Sequence, residues 1–188
     1  PEDEISIQNK TRKNYYFLLD RSGSMDDSFS HRNRNRYENL NSTNSKIGQA
    51  VKALEAFIGK IDSESFFNIY SFGSSYVKMF PQLMRANNEN KSLATQTVSN
   101  FKADMGGTEI FSCLEDVLRD QSPATVTNEK IIIFLTDGQV SNVSSIVNLI
   151  NSNNRNVRIF SIAVGKDADR ELVEQMAKYT HGECKFVS

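Results

Sequence analysis

Two strongly apolar segments of this 188-residue chain each stop abruptly at polar residues that include an aspartate. Residues 15–19 run directly into Asp20, and residues 131–135 run into Thr136, Asp137 and Gly138. Apolar runs of this length are typical of strands that are buried on both faces of a parallel sheet. Open α/β sheets bind their ligands beyond the carboxyl ends of such strands, so the two aspartates predict a binding site there.

Helical and strand-like patterns alternate along the rest of the chain. Apolar residues spaced four and three apart over 47–61 predict an amphipathic helix, with Asn44 or Ser45 as its N-cap. Further helices are predicted near 90–101, 110–120, 143–152 and 169–180, the last followed by Gly182, and further strands at 66–72, 76–80, 158–164 and 184–187. The predicted fold is α/β and Rossmann-like: a doubly wound, mostly parallel six-stranded sheet of order 3-2-1-4-5-6, with helices on both faces and the third strand as an antiparallel edge.

Length and charge limit the classes of protein to which the chain can belong. Its length suits one α/β domain, which we place at 15–188 after a polar lead-in at 1–14. A net charge of −1 gives no indication of nucleic-acid binding, and the longest apolar run, 131–135, is too short for membrane insertion. The chain begins with proline and shows no signal peptide, so we expect a fragment or processed form of a longer protein.

The two cysteines, Cys113 and Cys184, are too few for a disulfide framework. Both lie in predicted helix or strand, where unpaired cysteines usually behave as small buried hydrophobic residues. We therefore expect two free thiols, which favour a reducing, cytoplasmic location over secretion.

Oxygen-bearing side chains are concentrated in three loops of the predicted fold. Asp20, Ser22 and Ser24 follow the first strand, Thr108 follows Gly106-Gly107 before a helix, and Asp137 follows the second apolar strand. Carboxylates and hydroxyls are hard donors that suit Mg²⁺, Mn²⁺ or Ca²⁺. If the two apolar strands are central neighbours, the loops form one octahedral oxygen site for Mg²⁺.

This pattern resembles the von Willebrand factor A domain and its metal-ion-dependent adhesion site. The five positions of that motif correspond to Asp20, Ser22, Ser24, Thr108 and Asp137, and the likeness extends over residues 15–188. Residues 17–25, 67–74, 106–110 and 134–140 are similar to the branch with the inter-alpha-trypsin inhibitor heavy chains and the vault poly(ADP-ribose) polymerase. The resemblance implies a protein-binding module whose bound metal is completed by an Asp or Glu carboxylate of a partner. It also implies other domains in the same longer chain.

One segment departs from the family pattern. Residues 26–45 are longer than the short turn that usually follows the first site loop in these domains. We expect this inserted loop to be disordered, to cover the site or to supply specificity at its rim. The candidate rim residues are Asp26, Asp27, Arg32, Arg34, Arg36 and Gly107.

Two other interpretations of the same residues stay open. The serines, Thr108 and Asp137 are also common turn and cap residues, which would make the domain a structural scaffold without metal-dependent binding. A strand-end aspartate also serves as the nucleophile of Mg²⁺-dependent phosphoryl-transfer enzymes. Such an enzyme needs a second acid where Ser22 stands and a lysine near the site, and the three loops contain no lysine. We therefore expect no catalysis.

Overall fold

The computed structural model describes residues 12–26, 45–121, 129–137, 140, 142–165, 168 and 170–187. Residues 1–11 of the predicted lead-in and 27–44 of the predicted inserted loop lie outside the described residues. The described strands are β1 Asn14–Asp20, β2 Phe66–Phe72, β3 Tyr76–Lys78, β4 Met84–Arg85, β5 Lys130–Thr136, β6 Val157–Val164 and β7 Cys184–Val187. The described helices are α1 Lys46–Lys60, α2 Asn88–Val98, α3 Phe111–Arg119, α4 Val143–Ser152 and α5 Arg170–Thr180.

All seven strands belong to one mostly parallel sheet. Its main path is β3-β2-β1-β5-β6-β7, which is the predicted order, and β3 is the predicted antiparallel edge. The strand count was wrong by one, because β4 also pairs with β2, antiparallel, at Phe66↔Arg85 and Phe67↔Met84. A two-residue strand carries no periodic pattern, so its pairing depends on tertiary contacts that sequence reasoning does not see.

Alternating side chains of the central strand β1 face two separate hydrophobic cores. Phe17 and Leu19 pack on one side with residues of α1 and α2. Tyr16 and Leu18 pack on the other side with residues of α3, α4 and α5. This period of two, with helices on both faces, confirms the doubly wound α/β architecture.

The ends of two helices differ in how well the sequence predicted them. The predicted N-cap of α1 is confirmed, since the Ser45 hydroxyl accepts a hydrogen bond of 3.1 Å from the Gly48 N–H. At the end of α5, His181 rather than Gly182 has the left-handed backbone conformation, with φ of +53°. Gly182 is needed for a different reason: a Cβ there would lie 1.8 Å from the carbonyl oxygen of Ile159. The glycine thus permits close contact between α5 and β6.

No helix within the described part of the chain is long and apolar enough to cross a membrane.

The two cysteines provide a test of the packing on the α3 face. Both are free; Cys113 is fully buried in α3, whereas Cys184 in β7 is partly exposed. Burial raises the pKa of the Cys113 thiol, and only the thiolate reacts readily with alkylating reagents. Under native conditions we expect iodoacetamide to label Cys184 and leave Cys113 unmodified, as measured by peptide mass spectrometry. Equal labelling of both would contradict the packing of α3, and labelling in denaturant is the positive control.

Candidate metal centre

The candidate site lies where the winding of the sheet reverses. β1 is the neighbour of both β2 and β5, and all three strands are parallel. The chain turns to opposite sides of the sheet after β1 and after β5, which leaves a crevice between their carboxyl ends. Asp20 is the last residue of β1, and Asp137 follows the last residue of β5. The structure thus brings the two predicted carboxylates to the same edge.

Asp20 is completely buried, and both of its carboxylate oxygens accept hydrogen bonds. The Ser22 N–H donates to Oδ1 at 2.8 Å, and the Thr136 hydroxyl donates to Oδ2 at 2.6 Å. Burial raises the pKa of Asp20, hydrogen bonds from Ser22 and Thr136 oppose this effect, and the nearby charge of Asp137 adds to it. The hydrogen bonds therefore fix the orientation of the carboxylate, while burial and the neighbouring Asp137 disfavour its negative charge.

The two serines of the first loop present their hydroxyls side by side. Ser22 Oγ and Ser24 Oγ are 3.0 Å apart, and Ser24 lies in a short 3-10 helix, Gly23–Asp26, anchored by the buried Met25. Two adjacent oxygen ligands of an octahedral Mg²⁺, each about 2.0–2.1 Å from the ion, are separated by about 2.9 Å. The spacing of the serine oxygens therefore fits two neighbouring ligand positions.

The loop that carries Thr108 is attached to the first loop by backbone hydrogen bonds. The Gly23 N–H donates to the Gly106 carbonyl at 2.8 Å, and the Met105 N–H donates to the Arg21 carbonyl at 3.0 Å. Gly106 adopts a φ of +80°, a conformation that favours glycine. These bonds place the loop beside the serine loop, and Thr108, two residues after Gly106, is half-buried.

A lysine accompanies the second carboxylate. Lys46, the first residue of α1, places its Nζ 3.1 Å from Oδ2 of Asp137. The Lys46 side chain is 7% exposed and that of Asp137 is 0% exposed, so this is a buried ion pair. The three loops contain no lysine, as the sequence analysis found, but α1 supplies one from outside them.

Sequence reasoning missed two residues of this centre, Lys46 and Thr136. A signal for Lys46 was present, because a cation in the first turn of a helix is unfavourable next to the positive end of the helix dipole. Such a lysine indicates an anionic partner elsewhere in the fold. Thr136 directly precedes Asp137, but its role as donor to Asp20 depends on the register between β5 and β1, in which Leu135 is opposite Leu19.

The predicted rim residues are only partly described. Asp26 is exposed at the end of the 3-10 helix, and Gly107 is exposed with its N–H donating to Ser74 Oγ at 2.8 Å. These two positions border the serine and threonine loops. Asp27, Arg32, Arg34 and Arg36 lie outside the described residues.

The donor set determines which class of ion the centre fits. Across the described ranges, no three His, Cys, Asp or Glu side chains come together as a metal cluster. The candidate centre has only two carboxylates, and its other donors are hydroxyls. An all-oxygen set with hydroxyls 3.0 Å apart fits a small hard cation such as Mg²⁺ or Mn²⁺.

Sequence comparison identifies relatives over nearly the whole chain. A family model described as von Willebrand factor type A domain matches residues 40–186, which include Thr108 and Asp137 and begin after the first site loop. The mouse von Willebrand factor A domain-containing protein 5A is 31% identical over 189 residues, covering 100% of this chain and 22% of the relative. A von Willebrand factor A domain-containing protein of Dictyostelium discoideum is 32% identical over 176 residues, covering 94% of this chain and 19% of the relative. The chain thus spans about a fifth of the length of these curated relatives.

Solved structures share the fold at low sequence identity. A von Willebrand factor type A protein from Catenulispora acidiphila superposes with a TM-score of 0.75 at 22% identity, covering 95% of this chain and 39% of that chain. The manganese-loaded TRAP protein of Plasmodium vivax superposes with a TM-score of 0.61 at 16% identity, covering 89% of this chain and 63% of that chain.

Proposed function

The chain belongs to the von Willebrand factor type A domain family, and from this we propose that it is a protein-binding module that depends on a divalent cation. Asp20, Ser22, Ser24, Thr108 and Asp137 would hold Mg²⁺, or Mn²⁺ or Ca²⁺, directly or through water. The ion would supply a Lewis-acidic position for an Asp or Glu carboxylate of a partner protein. Domains of this family are commonly interaction modules, which supports this role.

The observation that supports the proposal most is the geometry around Asp20. Its carboxylate is fixed by Ser22 and Thr136, and beside it two hydroxyls lie 3.0 Å apart at the switch point of the sheet. In the scaffold interpretation, the hydrogen bond from Ser22 to Asp20 is explained by turn formation alone. That interpretation gives no reason for a second buried carboxylate, Asp137, at the same edge of the sheet. The manganese in the TRAP structure is consistent with the proposal.

Within the family, we also propose membership of the branch with the inter-alpha-trypsin inhibitor heavy chains and the vault poly(ADP-ribose) polymerase. The support is the likeness of the four segments that surround the sheet edge. Other domains of the same longer chain are then the first candidates for partners, followed by separate proteins with an exposed acidic residue.

Lys46 does not strengthen the phosphoryl-transfer alternative. Its ammonium is paired with Asp137 and is 7% exposed, so it is not placed to meet a substrate phosphate. Ser22 still occupies the position at which such enzymes need a second acid. We therefore propose a module without catalysis.

Calorimetric titration of the metal-stripped protein tests the proposal. We expect one Mg²⁺ or Mn²⁺ to bind per chain, and acetate or an acidic peptide to strengthen that binding by completing the coordination. The absence of both heat and thermal stabilisation at millimolar metal would overturn the proposal and leave the scaffold interpretation. Turnover of a phosphomonoester that depends on Asp20 would favour the enzyme instead.

Thr108→Ala tests whether the second loop contributes a ligand. Loss of one metal-coordinating hydroxyl should weaken Mg²⁺ binding by about 10- to 100-fold, the range seen when groups around protein metal sites are removed. Thr97→Ala is the matched control, because the Thr97 hydroxyl bonds only to the Leu93 carbonyl within α2. Equal Mg²⁺ affinities of the two variants in calorimetry would remove Thr108 from the site.

A further inference from the structure

The position of Lys46 is unfavourable for the helix that carries it. Lys46 is the first residue of α1, directly after the N-cap Ser45, and no acidic residue lies in the first turn. A cation at this end opposes the helix dipole, and burial of its ammonium removes the favourable interaction with water. The compensation must come from outside the helix, and the carboxylate of Asp137 is a partner that supplies it.

The absence of a side chain at Gly165 leaves space for the Lys46 side chain. Gly165 follows β6, with a φ of +107°, and a Cβ at this glycine would lie 2.7 Å from Lys46 Cε and 3.3 Å from Cδ. Any larger residue at position 165 would therefore displace the aliphatic part of the lysine. Three separate elements, α1, β5 and the end of β6, together place the ammonium beside the metal centre.

We propose that Lys46 is a built-in counter-cation that weakens metal binding at this centre and strengthens binding of the partner carboxylate. This inference rests on the proposed function of the site. Asp20 and Asp137 with Lys46 leave one net negative charge, so a divalent ion gives the loaded centre one net positive charge. A partner carboxylate then neutralises the centre. Without the ammonium, the ion alone would neutralise the two carboxylates, and an acidic partner would add an uncompensated negative charge.

Lys46 therefore links the two binding events through charge. The ammonium repels the incoming ion, which lowers the metal affinity of the empty protein. The same positive charge attracts the carboxylate that completes the coordination. The metal and the acidic partner should then bind cooperatively, and coupling between sites of this kind is reciprocal and typically about 5- to 150-fold.

Lys46→Gln tests the inference, because glutamine removes the charge and retains an N–H donor for Asp137. Mg²⁺ is titrated calorimetrically into metal-stripped wild type and variant, in sodium acetate and in sodium chloride of equal ionic strength. We expect the variant to bind Mg²⁺ at least about fivefold more tightly in chloride, and the strengthening by acetate to fall by a similar factor. Lys52→Gln is the matched control, since it removes the same charge from an exposed position of the same helix.

The outcomes separate this inference from the proposed function. If wild type binds Mg²⁺ with acetate coupling and Lys46→Gln behaves like Lys52→Gln, the role of Lys46 is overturned and the function stands. If neither wild type nor Lys46→Gln binds an ion, both proposals are overturned. If only Lys46→Gln binds, the proposed function of the wild type is overturned, and the opposition of Lys46 to metal is upheld.

A measurement on wild type keeps the test valid if the variant does not fold. Nitrogen-15 NMR of the lysine side chains should contain a slowly exchanging ammonium signal from Lys46, because Lys46 is buried and paired with Asp137; Lys130, whose ammonium is also hydrogen-bonded, is identified separately by its loss in Lys130→Arg. We expect Mg²⁺ to shift the Lys46 signal more than that of any exposed lysine. An unchanged signal at saturating Mg²⁺ would overturn the inference.

Discussion

Replacing Gly73 by alanine is expected to destabilise the protein by about 3 kcal/mol, since overpacking of a well-packed site costs up to that amount or more. Gly73 is the buried residue after β2, and a Cβ there would lie 2.3 Å from both the Cβ and the carbonyl oxygen of Met105. The obstacle includes backbone, so no rotation of a flexible side chain relieves the contact. The loops around residues 73 and 105 must move apart.

This movement should also reach the metal centre. The Gly73 carbonyl accepts the Glu109 N–H at 2.6 Å, and the Ser74 N–H donates to the Met105 carbonyl at 2.7 Å. Thr108 lies in sequence between Met105 and Glu109, so separating the loops should move it relative to the serine loop. We expect Mg²⁺ affinity to fall by at least about tenfold, in the range found when supporting groups of metal sites are removed.

Denaturant unfolding and calorimetry measure the two effects of Gly73→Ala. Gly59→Ala is the matched control, because no atom lies within 4 Å of a Cβ at Gly59, near the end of α1. Alanine in an open helical position should stabilise the protein by about 0.5–1 kcal/mol and leave metal binding unchanged. A midpoint of unfolding for Gly73→Ala equal to that of wild type would show that the contact between these loops is looser than described.

The sheet was largely predictable because its two central strands are unambiguous in sequence. The segments that become β1 and β5 are apolar throughout, as burial on both faces requires, and each ends at the polar residues of the site. The order of the main path then followed from alternating helix and strand patterns. The two-residue β4 was not predictable, because Met84 and Arg85 pair with β2 through tertiary contact alone.

The candidate centre was predictable where its residues are adjacent in sequence to a strand end. Asp20, the serines and Asp137 were proposed as site residues in this way, and the structure places the two aspartates at the same edge of the sheet. Lys46 was not proposed, because its side chain reaches Asp137 across 91 positions of sequence through space left by Gly165. The partnership of Thr136 with Asp20 was missed for a similar reason, since it depends on how β5 and β1 align.

The charge balance of the centre leads to the last prediction, for Asp20→Asn. We expect the variant to lose more than about 100-fold in Mg²⁺ affinity, because it removes one of the two carboxylates that would hold the ion. The metal-free variant should be at least as stable as metal-free wild type. Burial and the neighbouring Asp137 both disfavour the negative charge of Asp20. An asparagine can bond to the same two partners. Its Oδ1 accepts the Ser22 N–H, and its amide N–H donates to the Thr136 hydroxyl after that hydroxyl has rotated.

Thermal unfolding with and without Mg²⁺ separates these two effects of Asp20→Asn. At a metal concentration 100 times the dissociation constant, wild type should gain about 2.7 kcal/mol, a rise in Tm of roughly 5–10 °C for a domain of this size. Asp20→Asn should show no rise, whereas Glu89→Gln, which removes the same charge from an exposed position of α2, should retain it. A variant that is less stable without metal would mean that the Asp20 carboxylate stabilises the fold itself. A metal-dependent rise in the variant equal to that of wild type would show that the Asp20 carboxylate is not needed to hold the ion.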